Sequence, residues 1–195
     1  MTRHLQKCGQ TAPPQSGPVD FHLFVEGRYD KDYWMHISLS SSATLDTLDA
    51  FLRRAWLECC GHLSAFTIGG QSYSMNPMRE HGDFGMSAKL ERVLEPGVAF
   101  RYEYDFGSTT DLNLKVVGVR ARAKGRGVAL LARNEPPQVD CNKCGLRPAT
   151  QICSQCLYQG TGWLCDECAA DHPCGEDMFL PVLNSPRVGV CAYGG

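Results

Sequence analysis

Long hydrophobic runs are missing from this chain: the longest, Val128 to Ala132, falls far short of the ~20 apolar residues of a membrane-spanning helix. No membrane span is expected. The stretch from Met1 to Pro18 also lacks the apolar core of a secretory leader and carries mainly polar residues, with Pro13, Pro14 and Pro18, so a disordered tail (1–18) and a cytoplasmic location are expected. An excess of one charge is missing too. Nineteen Lys and Arg stand against 21 Asp and Glu, a net charge of −2, which excludes a strongly basic polyanion binder. No Gly-x-Ser-x-Gly elbow, phosphate loop or His-Glu-x-x-His helix occurs. No catalytic residue is nominated. His62, next to Gly61, reads as a helix-end imidazole that satisfies carbonyls, and Asp105 as a local turn acceptor rather than a base. Asp83 and Glu103 have no partner pattern. An enzyme with an unrecognised site in the larger domain is therefore only the third functional alternative.

Cysteine, in contrast, is abundant, with 11 residues. Three Cys-x-x-Cys pairs, Cys141/Cys144, Cys153/Cys156 and Cys165/Cys168, precede His172 and Cys174. That makes eight soft ligands for two tetrahedral sites. Each pair can put two thiolates about 3.7 Å apart, the edge of a four-thiolate zinc tetrahedron with Zn–S near 2.3 Å. A disulfide framework does not suit an odd cysteine count without an oxidising route, and an iron–sulfur cluster suits the set less well than two closed zinc sites. Two structural zinc ions are expected, with no position open to water or substrate.

Equal eight-residue gaps between the pairs permit two pairings. In a cross-brace, Cys141, Cys144, Cys165 and Cys168 hold one ion, and Cys153, Cys156, His172 and Cys174 the other. In a sequential scheme Cys168 and His172, at i and i+4, share one ion. Short loops favour the cross-brace. Cys191 is an alternative last ligand in place of Cys174. Cys59 and Cys60 read as helix-end residues, because adjacent thiols close only a strained ring.

The break at Asn134-Glu-Pro-Pro-Gln separates an α+β domain (19–135) from a zinc-binding domain with a C-terminal tail (136–195). So few large apolar residues stand in the second that metal binding should supply its folding free energy. In the first, Val19 to Glu26 and Tyr33 to Leu39 predict an opening hairpin. Ser40-Ser41-Ser42 offer caps for a helix whose Leu45, Leu48, Leu52, Ala55 and Trp56 recur at helical spacing. Ala65 to Ile68 and Gln71 to Met75 flank Gly69-Gly70 as a second hairpin, and Ser87 to Leu94 predict a short helix. Phe100, Tyr102, Tyr104 and Phe106 alternate with charges, a half-buried strand. Leu112 to Ala123 and Val128 to Arg133 would complete a meander. The fold class is thus α+β, a compact roll of mixed or antiparallel sheet with packed helices, followed by a small treble-knuckle, cross-braced zinc domain. The tail from Met178 to Leu183 should fold back on one of the two.

The run Tyr102-Glu103-Tyr104-Asp105-Phe106-Gly107 resembles the Tyr-Asp-Phe-Gly signature of the plasmid pRiA4b ORF-3-like family, often labelled passengers of insertion elements. The resemblance extends over most of 19–133, including Leu45 to Trp56, His62 to Phe66 and Gly69 to Tyr73. Cys141 to Tyr193 is similar to the cysteine-rich extension of one subset of that family. The resemblance implies a compact α+β roll and no agreed activity. Many members follow Asp-Phe-Gly with an acidic residue, Ser, Trp and then His, whereas Ser108, Thr109, Thr110 and Asp111 stand here.

Two binding roles remain. Lys115, Arg120, Arg122, Lys124 and Arg126, with Arg133, form a basic strand region that could track phosphates in a nucleic-acid-binding accessory protein of a mobile element. The zinc domain argues otherwise: Lys143 and Arg147 face Asp166, Glu167, Asp171, Glu176 and Asp177, and seven thiolates outweigh two divalent ions. A protein-interaction or adaptor module suits this acidic lobe better, with Tyr158 and Trp163 as partner anchors unless Trp163 covers the zinc.

Overall fold

Alternation of apolar and polar residues at period two builds most of the first unit. The computed structural model describes residues 17–122 and 127–195. The chain divides into two compact units, one of residues up to Arg54 together with Leu63–Asn134, the other Ala55–His62 together with Glu135–Gly195. One division falls after Asn134, and Ala55–His62 belongs to the second unit. No sequence pattern marked that excursion. The tail expected over 1–18 lies almost wholly outside the described residues.

Among the described residues, the first unit holds an eight-stranded sheet. Strands β1 (Val19–Gly27) and β2 (Trp34–Ser40) form the expected antiparallel hairpin. Helix α1 (Leu45–Leu52) follows, then a π-turn (Arg53–Leu57) that carries the chain out of the unit. Thr44, not one of the serines, caps α1, its hydroxyl accepting from the Thr47 amide. Next come β3 (Ser64–Ile68), β4 (Gln71–Ser74), β5 (Phe84–Gly85), α2 (Leu90–Val93, shorter than expected), β6 (Ala99–Tyr104), β7 (Thr110–Ala121) and β8 (Ala129–Arg133). The order is β5-β4-β3-β6-β7-β1-β2-β8, antiparallel throughout except for β4 with β5. The meander is therefore not completed. Both sides of β7 are taken by β6 and β1, so β8 pairs with the open edge of β2 instead.

One sheet face carries Leu23, Val25, Ile37, Phe66, Tyr102 and Leu114, all buried with Leu45, Leu48 and Leu52 of α1. Phe106 does not join this face and is 56% exposed. The strand has ended at Tyr104, and Asp105 takes φ of 64°, which breaks the alternation. As expected, the Asp105 carboxylate accepts locally, from the Gly107 amide at 3.0 Å.

In the second unit, Cys141, Cys153, Leu164 and Cys165 form one buried cluster, and Trp56, Leu57, Ile152 and Tyr193 are buried as well. Around that cluster lie β9 (Gln151–Cys153), β10 (Trp163–Leu164), α3 (Asp166–Ala170) and β11 (Phe179–Pro181), with strand order β10-β9-β11. The tail from Met178 thus folds back on its own unit, β11 pairing with β9. No helix of the described residues is long and apolar enough to cross a membrane.

Candidate metal centres

Each Cys-x-x-Cys pair sits at a turn that backbone hydrogen bonds close. The Cys141 amide donates to the Arg147 carbonyl at 2.8 Å, and Gly145, at φ 62°, returns its amide to Cys141. Cys153 ends β9, and Cys156 leads into a 3-10 turn (Leu157–Gln159) stopped by Gly160 at φ 76°. Cys165 precedes α3, which carries Cys168, while His172 and Cys174 follow that helix.

The side chains gather in an interleaved pattern. Cys141, Cys144, Cys165 and Cys168 bring their sulfurs within 4.8 Å of one another, and so do the ligand atoms of Cys153, Cys156, His172 and Cys174. The separations are 4.0 Å for Cys144 to Cys165, 3.7 Å for Cys156 to Cys174 and 3.4 Å for Cys156 Sγ to His172 Nε2. A tetrahedron with Zn–S bonds of 2.3 Å has edges of about 3.8 Å, so both clusters have the dimensions of a four-ligand metal site. The sequential pairing is not formed. Phe179 stands edge-on to His172 at 5.6 Å and orients the imidazole.

The electrostatics suit a cation. Burial pushes the Cys141 thiol up, but the backbone amides of Cys144, Cys165 and Lys143 outweigh it and bring the group down to about 6. Burial likewise opposes Cys153, whose value is lowered by the amides of Cys156 and Gln155. The neighbouring Cys174 thiol and burial push Cys156 up to about 11, and burial with the Cys165 thiol pushes Cys168 up to about 12. Crowded sulfurs cannot all ionise unaided. A divalent cation would supply the missing charge and release the remaining protons.

Cys174 completes the second cluster and Cys191 does not, since Cys191 lies with Cys59, Cys60 and His62. Sequence reasoning missed that third group. His62 has Cys60 and Cys191 as neighbours, and Cys59 and Cys60 belong to the same group. The available signal was Cys-Cys-Gly-His together with cysteines left over after eight ligands had been assigned.

Of the partner residues, Tyr158 is 77% exposed, while Trp163 is half-buried in β10, its amide donating to Asn142 Oδ1. Of the basic residues, Lys124 and Arg126 lie outside the described residues. Lys115 and Arg120 stand opposite Phe24 and Asp20 of β1, and a bulge at Val117 puts both on the same sheet face. Arg133, opposite Met35, points to the other face. The basic face is interrupted by Glu26, Glu103 and Asp111, the last bridged by Arg101 at 2.7 Å.

No curated protein matches the chain. Among solved structures, a protein of unknown function from Methanosarcina mazei Go1 is similar at 16% identity and a TM-score of 0.53, over 60% of this chain and 71% of that one. That likeness concerns the fold alone. The model of the plasmid pRiA4b ORF-3-like protein family matches residues 25–152, from β1 through the first knuckle to β9. With the signature strand, the roll and most of the chain matched, this protein belongs to the plasmid pRiA4b ORF-3-like family.

Proposed function

We propose that the chain is a zinc-stabilised protein-interaction module. Zinc fills the two knuckle clusters as a structural ion, and the lobe it holds together binds a basic, partly apolar segment of a protein partner. A reducing compartment such as the cytoplasm keeps the thiolates available. Four protein ligands close each cluster, which leaves no position for substrate.

The observation that carries the interaction reading is an open groove of about 450 Å³ lined by Gln151, Asp166, Ala169, Ala170, Glu176 and Phe179. Its lining combines apolar Ala169, Ala170 and Phe179 with the Asp166 and Glu176 carboxylates, which suits an anchor residue flanked by Lys or Arg. Exposed Tyr158 and Leu146 extend the apolar surface of the same lobe. The test is binding of an arrayed set of basic-apolar peptides to the zinc-loaded chain, repeated with Asp166→Lys and Glu176→Lys. Affinity that falls at least tenfold in the variants and weakens with salt supports the reading; binding that ignores both substitutions sinks it.

Nucleic acid is the second reading, favoured by the bulge that aligns Lys115 with Arg120. It predicts that a duplex or single-stranded oligonucleotide binds with a steep salt slope, which Lys115→Ala and Arg120→Ala reduce.

A further inference from the structure

The cysteines outside the two knuckle clusters are not scattered. Cys59, Cys60, His62 and Cys191 belong to the same unit, and each brings a ligand atom within 4.8 Å of the other three. Cys60 Sγ lies 3.6 Å from both Cys59 Sγ and Cys191 Sγ, and 2.9 Å from His62 Nε2, with Cys191 3.7 Å from the same nitrogen. Zinc bonds of 2.3 Å to sulfur and about 2.0 Å to nitrogen call for S···S edges of about 3.8 Å and S···N edges of about 3.5 Å. Small side-chain adjustments reach that geometry.

The surroundings are built for a negative, metal-bound cluster. Arg187, 0% exposed, donates from Nη2 to Cys59 Sγ at 3.5 Å. A buried guanidinium needs compensating negative charge, and three thiolates around one divalent ion leave a net charge of about −1. Hydrogen bonds between segments far apart in sequence hold the geometry. Ser185 Oγ donates to the Trp56 carbonyl at 2.5 Å and accepts from the Arg187 amide at 2.9 Å, tying the turn before Cys191 to the segment before Cys59. Cys191 itself takes φ of 56°, a conformation non-glycine residues seldom adopt and that persists where surrounding interactions offset its cost.

We propose that Cys59, Cys60, His62 and Cys191 form a third zinc site, separate from the eight knuckle ligands. A soft donor set of three thiolates and one imidazole selects zinc over hard cations. By linking Cys60 to Cys191, 131 residues apart, the ion would clip the 55–62 excursion to the C-terminal tail. Closing so long a loop removes much freedom from the unfolded chain. Cys60 and Cys191 are exposed, so this ion should leave for a chelator before the other two.

The test is native mass spectrometry of the full chain purified without chelator. The expected result is three zinc ions on the wild type, and two on Cys60→Ser and on Cys191→Ser. Two ions on the wild type, with Cys191→Ser also at two, would overturn the proposal. Cys144→Ser reads the knuckle clusters separately: it should lower the count whether or not the third site exists. If Cys191→Ser lowers the count by more than one, cobalt(II) titration of the metal-stripped wild type decides, three equivalents with thiolate charge-transfer absorption supporting the site and two overturning it.

Discussion

The Tyr102 hydroxyl donates to Asp49 Oδ1 over 2.7 Å, joining the signature strand β6 to helix α1 inside the first unit. Ser64 Oγ donates to the same oxygen at 2.6 Å, and Arg53 Nε pairs with Oδ2 at 2.8 Å while the guanidinium lies over the Tyr104 ring at 4.8 Å. Burial and the Asp49 carboxylate hold the Tyr102 phenol well above its ordinary range, so it stays a donor. Asp49→Ala would leave buried Arg53 without this carboxylate and should cost about 3–5 kcal/mol. Tyr102→Phe, which removes one bond to a charged group, should cost about 1.5–3 kcal/mol. Urea midpoints of the two variants check the ranking; equal small losses would refute a cooperative network.

A pH dependence follows from His22 and His36, whose ring nitrogens lie 3.0 Å apart with each residue 1% exposed. Burial, then the charges of His36 and Arg120, hold His22 down at about 4, and burial lowers His36 as well. Between pH 6.5 and about 4 the unfolded chain therefore binds protons that the folded chain does not. Stability is fully present above pH 6.5 and is lost as pH falls toward 4. Thermal midpoints should decline across that window, and less so in a His22→Gln/His36→Gln variant, whose difference from wild type separates the pair from metal release. Parallel curves would exclude the pair as the cause.

Metal removal should affect the two units unequally. A cysteine cluster is part of the buried interior of the second unit, whereas the first buries an apolar sheet face. Excess chelator should expose residues 135–195, and Ala55–His62 with them, to limited proteolysis, while the segments of the first unit resist. Protection of the whole chain in chelator would argue against structural metal.

Gly162 is a sharper probe of the second knuckle. A Cβ there would stand 2.5 Å from Leu157 N and 2.8 Å from the Cys153 carbonyl oxygen, both backbone atoms that cannot swing aside. Gly162→Ala should displace the turn carrying Cys153 and Cys156 and destabilise the lobe by about 1–3 kcal/mol. Competition with a chromophoric zinc chelator should show one ion weakened at least tenfold, with the Cys141 cluster unchanged.

Strand and helix positions were legible because they follow from short-range periodicity. Leu45, Leu48 and Leu52 recur at the helical repeat, and Phe100, Tyr102 and Tyr104 alternate, so each segment declares the face it buries. Spacing likewise grouped eight ligands into one lobe, since each Cys-x-x-Cys pair is a local turn. Phe106 escaped this logic through a single backbone torsion at Asp105, which no periodicity encodes.

What tertiary structure alone decided is long-range. The attachment of β8 to β2 depended on which sheet edges were already taken, the alignment of Lys115 with Arg120 on a bulge at Val117, and the meeting of Cys60 with Cys191 on a fold that brings residues 131 apart to 3.6 Å. Residues close along the chain constrain one another through shared torsions, and their pattern can be read directly. Residues far apart meet only after the whole chain has chosen one arrangement, so the third cysteine cluster became visible only in three dimensions.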